Sequence, residues 1–413
     1  MRIVHVCYSD RNGGAARAAQ RLHQAQRKQG IDSHMLVIDK RSDDPFIHTI
    51  SGLHKLRIKF ANFISRQILR LQKDKNLVLH SLNFFPSGLL PALNKLKPDV
   101  VNLHWLGGEM LSIGEIKKIH QPIVWTLHDM WAFSGCEHYD NLEASNRYAS
   151  GYNSVCKGNR GIDLNRWNFN RKKMLWKNKN FHIVAPSHWL ANCVKESALF
   201  SNLRVDVIGN CIDHSQYKPI NKFFCREVLG LPLNKKLLLF GAMSSTSDPR
   251  KGYSLLVSAL KEYSKNNNPN EIELVVFGAS QGNTEETTGF KTHYIGNLYD
   301  DISLVLLYNA ADLLVAPSLQ DNLPNTLVES LACGTPSLSF NIGGMVDLIR
   351  NEQLGNICEN IDSVSLATSI NKSLRKEYNT NYIHEHSLNI RGQEKIVSSY
   401  MKIYKFITDE GIS

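Results

Sequence analysis

The sequence has no long hydrophobic run, and this absence argues against a membrane-spanning helix. No segment approaches the roughly 20 consecutive apolar residues that a membrane-spanning helix needs. The first ten residues, MRIVHVCYSD, also lack the apolar stretch typical of a secretory signal peptide. With 42% hydrophobic and 21% charged residues, the chain has the composition of a folded, soluble protein, and we expect it in the cytoplasm.

Cysteine is scarce and unpatterned. The chain has eight cysteines, without a C-x-x-C pair and without regular spacing. This argues against a disulfide framework and against a structural zinc site. One alternative stays open, in which Cys136, followed by Glu137 and His138, meets Cys156 around a metal ion.

Acidic residues are scarce in the first part of the chain. Residues 1–180 contain 28 Lys and Arg against 14 Asp and Glu, a net charge of +14, whereas residues 181–413 contain 20 against 24, a net charge of −4. Such asymmetry indicates that an anionic partner meets the first part: a lipid surface, a phosphorylated substrate or nucleic acid.

Short apolar runs alternate with helical patterns along the whole chain. A length of 413 residues exceeds what one hydrophobic core usually supports, so we expect two domains with a boundary near residue 215. The alternation predicts doubly wound, mostly parallel α/β sheets. The predicted strands cover residues 2–7, 34–38, 99–104, 122–128, 181–185, 205–208, 236–240, 273–278, 294–296 and 312–316.

The stretch 317–336, PSLQDNLPNTLVESLACGTP, carries the strongest signal. It follows a strand-like run, forms a polar loop and continues into a helical pattern, so the loop lies at the carboxyl end of a strand, where open α/β sheets bind ligands. Asp321 and Glu329 bracket this place. Alternatively, Thr326 and Glu329 form only a capping box, and Asp321 is an ordinary loop acid.

An acid, seven residues and then Glu, followed by Cys-Gly-Thr-Pro, resembles the signature of family 4 retaining glycosyltransferases. That resemblance implies that Asp321, where the family usually has Glu, lies beside the donor sugar and that Glu329 holds the ribose hydroxyls. It implies that the intervening residues meet the diphosphate, namely Asn322, Leu323, Asn325 and Thr326. It also implies the GT-B fold, with two Rossmann-like domains facing a cleft and a C-terminal helix crossing back to the first domain.

Two features of the first half fit the same resemblance. Gly13-Gly14 lies between a strand and a helix, where backbone can approach a ligand closely, although a plain tight turn is the alternative. His128 ends a strand before Asp129, and Thr-x-His-Asp resembles the motif that places an imidazole against the donor sugar in members that build bacterial surface polysaccharides. The alternative is a histidine bonded to nearby backbone.

Arg250 and Lys251 follow a loop rich in glycine and serine. Paired cations before a helix suit a diphosphate leaving group, although surface basic pairs are common. By resemblance, Lys251 matches the family's lysine, Ala242 occupies the position of its arginine, and Arg250 substitutes for the missing charge. Because neither predicted domain offers an Asp-x-Asp loop, we expect no metal and no other cofactor.

Segment 53–75 carries seven basic residues and one acid among apolar residues at helical spacing. This pattern favours a helix that rests on an anionic membrane, and its competitor is a helix packed on the first domain's sheet.

These patterns together predict a hexosyltransferase-type enzyme. We expect domains at 1–215 and 216–385 and a crossover helix at 386–413. The resemblance implies retaining transfer from a nucleotide sugar to a glycan, typically lipid-linked, in surface polysaccharide synthesis such as that of lipopolysaccharide O antigen, at the cytoplasmic face of the inner membrane. A nucleotide-sugar epimerase and a nucleic-acid-binding protein are the alternatives, and we expect no nucleic-acid partner.

Overall fold

The computed structural model describes residues 1–72, 76, 78–140, 146–153, 161–241, 248–279, 289–298 and 300–410. The chain forms two compact units. Unit 1 contains Met1–Gly209 and Ile396–Ser413, and unit 2 contains Asn210–Lys395.

Unit 1 is built on a parallel sheet. Its strands, in the described part of the unit, are β1 (Arg2–Ser9), β2 (Asp32–Asp39), β3 (Ile47–Thr49), β4 (Val100–Leu103), β5 (Ile123–Thr126), β6 (Phe181–Ala185) and β7 (Val205–Val207). Their order is β3-β2-β1-β4-β5-β6-β7, and all neighbours are parallel. The order reverses between β1 and β4, the point at which such sheets bind ligands.

Helices cover this sheet, which is why the central strands β4, β5 and β6 are buried on both faces. The helices are α1 (Gly14–Lys28), α2 (Gly52–Leu69), α3 (Leu90–Lys95), α4 (Ile113–Lys117), α5 (Arg147–Ser150), α6 (Leu164–Leu175) and α7 (His188–Glu196). The many asparagine and tyrosine residues of segment 135–179 predict irregular structure, but the segment contains α5 and α6. Its residues 141–145 and 154–160 lie outside the described residues.

Unit 2 repeats the architecture of unit 1. The described strands are β8 (Lys236–Gly241), β9 (Ile272–Phe277), β10 (Thr292–Gly296), β11 (Leu313–Ala316), β12 (Ser337–Phe340) and β13 (Gly355–Cys358). Their order is β10-β9-β8-β11-β12-β13, all parallel. Both units therefore have the doubly wound order of a Rossmann fold, and in unit 2 the order reverses between β8 and β11.

The described helices of unit 2 are α8 (Lys222–Leu229), α9 (Tyr253–Ser264), α10 (Asp301–Ala310), α11 (Asn325–Ala332), α12 (Ser363–Arg375) and α13 (Thr380–Arg391). The sequence beyond Gly344 predicts a helix from about Val346, but this prediction is wrong: the chain forms a 3-10 turn at Gly343–Asp347, with Gly343 at a φ of +62°.

The last helix, α14 (Gln393–Glu410), starts at the end of unit 2 and joins unit 1 from Ile396 onward. Its Tyr404 hydroxyl accepts a hydrogen bond from Asn102 at 2.7 Å, and its Tyr400 hydroxyl bonds Thr126 at 3.1 Å. The predicted return of the C-terminal helix to the first domain is confirmed. No described helix is long and apolar enough to cross a membrane.

Candidate active site

The switch point of the unit 2 sheet brings together two loops, one after β8 and one after β11. Leu319 N–H donates to the Arg250 carbonyl at 2.7 Å, which ties the loops directly. Gly252 makes the close approach possible, since a Cβ there would lie 1.9 Å from the Pro317 carbonyl oxygen and its φ is +70°. The loop after β8 is described from Asp248 onward, so Ala242 lies outside the described residues.

Lys251 and Asp321 form an ion pair at this point. The Lys251 ammonium lies 2.6 Å from Asp321 Oδ2, and the two side chains are 22% and 12% exposed. The partial burial makes the pair stronger than an exposed one. The structure thus joins two residues that the sequence suggested separately, one for the diphosphate and one for the sugar.

Arg250 lies beside this pair and is itself held by Asp248. Its guanidinium contacts the Asp248 carboxylate at 2.7 and 3.2 Å, and Asp248 also accepts from the Arg250 backbone N–H. The arginine lowers the pKa of Asp248 although burial opposes this. Asp248 therefore orients Arg250, a role that no sequence pattern indicated.

The loop that carries Asp321 is fixed from a third side. Gly344 N–H donates to the Asp321 carbonyl at 3.1 Å, and a Cβ on Gly343 would lie 2.2 Å from that carbonyl. The Asp321 and Asn322 side chains are buried with this loop, as is Leu323. The resulting rigidity positions the Asp321 carboxylate before any ligand arrives.

Helix α11 starts at Asn325. Its N-cap is Pro324, and no side-chain hydrogen bond caps it. The Asn325 side-chain oxygen accepts a hydrogen bond from Asn210 at 2.9 Å. Because Thr326 is the second residue of the helix and not its N-cap, the capping box with Glu329 is wrong.

Glu329 is buried on α11, at 3% exposure, and accepts a hydrogen bond of 2.7 Å from the Tyr308 hydroxyl. Burial and the neighbouring carboxylate raise the pKa of Tyr308 well above its usual value, so the phenol stays a donor. Tyr308 belongs to α10, and its role could not be inferred from the 317–336 stretch.

In unit 1, Gly13 and Gly14 lie after β1, beside the switch point of that sheet. Gly13 is the N-cap of α1 with a φ of +102°, a conformation that other residues rarely adopt. The turn is anchored by the buried Asp10, which accepts from the Arg41 and Ser42 backbone N–H groups, both at 2.9 Å.

His128 follows β5, and its imidazole bonds the side chain of His104 rather than nearby backbone. The distance from His104 Nδ1 to His128 Nε2 is 3.0 Å, and the rings stack with centroids 5.3 Å apart. Burial lowers the pKa of His128 to about 4, so the ring is neutral at physiological pH. His104 follows β4 as His128 follows β5, so the rule that functional residues lie just after parallel strands would also have identified His104.

The alternative metal site around Cys136 has no support in the described residues. Cys136 Sγ donates to the Leu164 carbonyl, Glu137 accepts from Tyr152, and His138 bonds Asp129 and Ser81. These three consecutive side chains have separate partners, and Cys156 lies outside the described residues. Among the residues with a description, no cluster of three His, Cys, Asp or Glu could hold a metal ion.

Two family models match the chain. The one described as Glycosyltransferase Family 4 matches residues 12–216, and the one described as Glycosyl transferases group 1 matches residues 234–376. Together they leave only residues 1–11, 217–233 and 377–413 unmatched, so each unit carries one of the two domains.

Similar curated proteins cover part of the chain. Protein CapJ of Staphylococcus aureus is 29% identical over 42% of this chain and 47% of its own length. D-inositol 3-phosphate glycosyltransferase 2 of Catenulispora acidiphila is 25% identical over 46% of this chain and 48% of its own. The chain thus spans about half the length of the curated relatives it matches.

Solved glycosyltransferase structures match almost the whole chain. HepE of Anabaena, crystallised with UDP and glucose, has a TM-score of 0.66 at 14% identity and covers 98% of this chain and 99% of its own. WaaG, a glycosyltransferase involved in lipopolysaccharide biosynthesis, has a TM-score of 0.60 at 15% identity, with coverage of 98% and 99%. These likenesses confirm the predicted fold class. The chain therefore belongs to the glycosyltransferases, with a Family 4 domain followed by a group 1 domain on the GT-B fold.

Proposed function

We propose that this enzyme transfers a hexose from a nucleotide sugar to a glycan acceptor, typically lipid-linked, with retention of anomeric configuration. The biological role is the synthesis of a bacterial surface polysaccharide. The observation that carries the proposal is the Lys251–Asp321 ion pair at the switch point of the unit 2 sheet, with Arg250 and the start of α11 beside it.

The ion pair supplies both charges that such a transfer uses. An arriving diphosphate competes for the Lys251 ammonium, because a charge-assisted bond to phosphate replaces the one to Asp321. The released Asp321 carboxylate then accepts a hydrogen bond from a sugar hydroxyl. Lys251, Arg250 and the N-terminal N–H groups of α11 stabilise the negative charge that develops on the leaving diphosphate, so no metal is required.

The similar proteins support the substrate class. HepE was crystallised with UDP and glucose. The role of WaaG in lipopolysaccharide biosynthesis supports a surface-glycan role here. The proposal that the anomeric configuration is retained rests on the resemblance at residues 317–336. The glycan acceptor is proposed on the same basis.

We further propose that unit 1 binds the cytoplasmic face of the inner membrane through α2. Four apolar residues in the first part of this helix are exposed, with exposures of 81% at Leu53, 65% at Leu56, 65% at Phe60 and 57% at Phe63. Only Ile58, Ala61 and Ser65 of the helix are buried. This exposure favours the membrane helix over the alternative in which the apolar stripe packs on the sheet, because it leaves an apolar face flanked by basic residues, as membrane-surface helices have.

A donor panel tests the enzyme proposal. The chain is first screened with UDP-, GDP- and dTDP-sugars for protection against thermal unfolding, and transfer is then measured with the stabilising donor. Lys251→Ala should lower kcat by about 100-fold, because it removes a charge that acts on the leaving group. The anomeric configuration of the product, read by NMR, should match that of the donor.

The matched control is Lys265→Ala, since Lys265 pairs with Glu262 on the surface at 2.6 Å and should leave turnover unchanged. Full turnover of Lys251→Ala at saturating donor contradicts the assignment. Isomerised donor in the absence of acceptor would instead favour the epimerase. Activity that EDTA abolishes and Mg²⁺ or Mn²⁺ restores contradicts metal-free transfer.

A further inference from the structure

A continuous row of buried side chains leads away from His128 through the unit 1 sheet. His128 Nε2 lies 3.0 Å from His104 Nδ1, and His104 Nε2 lies 2.9 Å from His5 Nδ1. His5 Nε2 lies 2.8 Å from the Gln26 side-chain oxygen. His5 and Gln26 are completely buried, and His104 is 3% exposed. The row crosses the switch point between β1 and β4 and ends on α1.

The far end of the row is held by the C-terminal helix. Gln26 Nε2 donates to the Tyr404 hydroxyl at 3.4 Å, and Asn102 Nδ2 contacts the same hydroxyl at 2.7 Å. Tyr404 is completely buried on α14. With its nitrogen toward Tyr404, the Gln26 amide directs its oxygen at His5.

The protonation of the three imidazoles is coupled through this row. Burial lowers the pKa of His5 to about 4 and that of His104 well below its usual value, so each ring carries one proton at neutral pH. The Gln26 oxygen accepts the Nε2 proton of His5, which leaves His5 Nδ1 to accept from His104 Nε2. Because His104 carries its proton on Nε2, its Nδ1 accepts a hydrogen bond from His128 Nε2–H. His128 therefore has no proton on Nδ1.

We propose that Gln26, His5 and His104 are positioning residues that hold His128 in its neutral Nε2–H tautomer, so that Nδ1 accepts a hydrogen bond from a hydroxyl of the donor sugar. This inference rests on the proposed function for the sugar contact, but not for the tautomer. Without the row, the imidazole exchanges tautomers and turns about its side-chain bonds, and the sugar meets a mixture of donor and acceptor nitrogens.

Nitrogen-15 NMR of histidine-labelled full-length protein tests the tautomer without any substrate. The wild-type spectrum should show His128 protonated at Nε2 and unprotonated at Nδ1. The assignment uses the spectrum of His128→Gln, from which that signal is missing. A protonated Nδ1 on His128 in the wild-type protein overturns the proposal, whatever the enzyme's substrate proves to be.

Variants at the far end of the row test the positioning role at a distance from the sugar. Gln26→Met keeps the side-chain length but removes the amide, so His128 should become a tautomer mixture and kcat should fall about 10-fold while the KM for acceptor stays unchanged. Gln26→Glu retains an acceptor for His5 and should restore the Nε2–H signal and most of the turnover. The control is His23→Gln, because His23 is equally buried but bonds Ser33 and lies outside the row.

The kinetic outcomes separate this inference from the proposed function. If Gln26→Met mixes the tautomers of His128 yet transfers sugar at the wild-type rate, the positioning role is wrong while the transferase assignment stands. If Lys251→Ala leaves turnover unchanged, the proposed leaving-group site fails while the tautomer result is unaffected. Should Gln26→Met not fold, the wild-type spectrum and Gln26→Glu still decide the tautomer.

Discussion

Glu329 is buried and accepts a hydrogen bond from the Tyr308 hydroxyl at 2.7 Å. Burying a carboxylate is costly unless donors satisfy it, and a phenol on a neighbouring helix supplies one. A carboxylate has about four lone-pair directions, so the bond from Tyr308 uses only part of its capacity to accept hydrogen bonds. Tyr308 therefore orients Glu329 without blocking the proposed ribose contact.

We predict that Glu329→Gln weakens binding of the stabilising nucleoside diphosphate by about 10-fold or more, since a hydrogen bond to a charged group contributes about 1.5–3 kcal/mol. Tyr308→Phe should affect that affinity less, because the carboxylate stays in place, but should lower the free energy of unfolding by about 1–3 kcal/mol. Titration calorimetry and chemical denaturation give the two values. Equal nucleotide affinity of Glu329→Gln and the wild type would assign Glu329 to a structural role alone.

Residue positions were predictable where a local pattern defines them. The spacing of Asp321 and Glu329 marked a loop and a helix that lie at the switch point of the unit 2 sheet, and the strand pattern placed His128 just after a strand, where the structure has it after β5. Their partners were not predictable, because Lys251 reaches Asp321 across 70 residues and His5 reaches His104 across 99. Sequence spacing carries no information about such contacts until the strand order is known.

At the scale of elements, strands with several apolar residues were predictable and short or polar ones were not. The structure adds β3, with three residues, and β12 and β13, which contain serine, asparagine and glycine. Pairing with a neighbouring parallel strand supplies hydrogen bonds that override their weak β-propensity, on one side for the edge strands β3 and β13 and on both sides for β12. Helix α2 also departs from its pattern, because four of its apolar residues are exposed although such stripes usually face a core.

Helix α2 should bind anionic vesicles in a co-sedimentation assay at low salt, bind neutral vesicles much less, and release as salt rises. Arg66→Glu with Arg70→Glu should weaken binding by at least about 30-fold, since each basic residue contributes about 1 kcal/mol. Phe60→Ser with Phe63→Ser should also weaken it, whereas transfer to a soluble acceptor analogue should not change.

The matched control for that assay is Phe223→Ser with Phe224→Ser, two phenylalanines on α8 with exposures of 57% and 52%. They test whether any exposed aromatic pair produces binding. Vesicle binding that depends neither on salt concentration nor on lipid charge would contradict the proposed membrane role of α2. Lys73 and Lys75, also counted in the basic segment, lie outside the described residues.

At the scale of the whole molecule, the excess of basic residues lies in the first part of the chain, whereas several histidines lie in the interior. The net charge of +10 arises from residues 1–180, the part that carries α2 and the proposed membrane contact. Several histidines are buried instead, and burial lowers the pKa of His5 and His214 to about 4 and that of His23 to about 2. Unfolding exposes these groups to water, where their pKa is about 6.5.

The buried histidines predict a loss of stability below pH 6.5. In the window between about pH 6.5 and pH 4 the unfolded chain binds protons that the folded chain excludes, so the free energy of unfolding decreases as pH falls. At pH 5.5 each fully buried histidine with a pKa near or below 4 costs about 1 kcal/mol. Carboxylates with lowered pKa values, such as Asp312, reduce the free energy of unfolding only at still lower pH, where they become protonated.

We therefore expect the thermal midpoint to fall by several degrees between pH 7.5 and 5.5, at about 2–4 °C for each kcal/mol lost. His23→Gln removes one buried titrating group, so its midpoint should depend less on pH over this range than that of the wild type. His120→Gln, at an exposed position, should follow the wild-type curve. Scanning calorimetry of the three proteins at a series of pH values measures the slopes. A wild-type midpoint that stays constant from pH 7.5 to 5.5 would contradict the neutral state assigned to these rings, including those that hold His128.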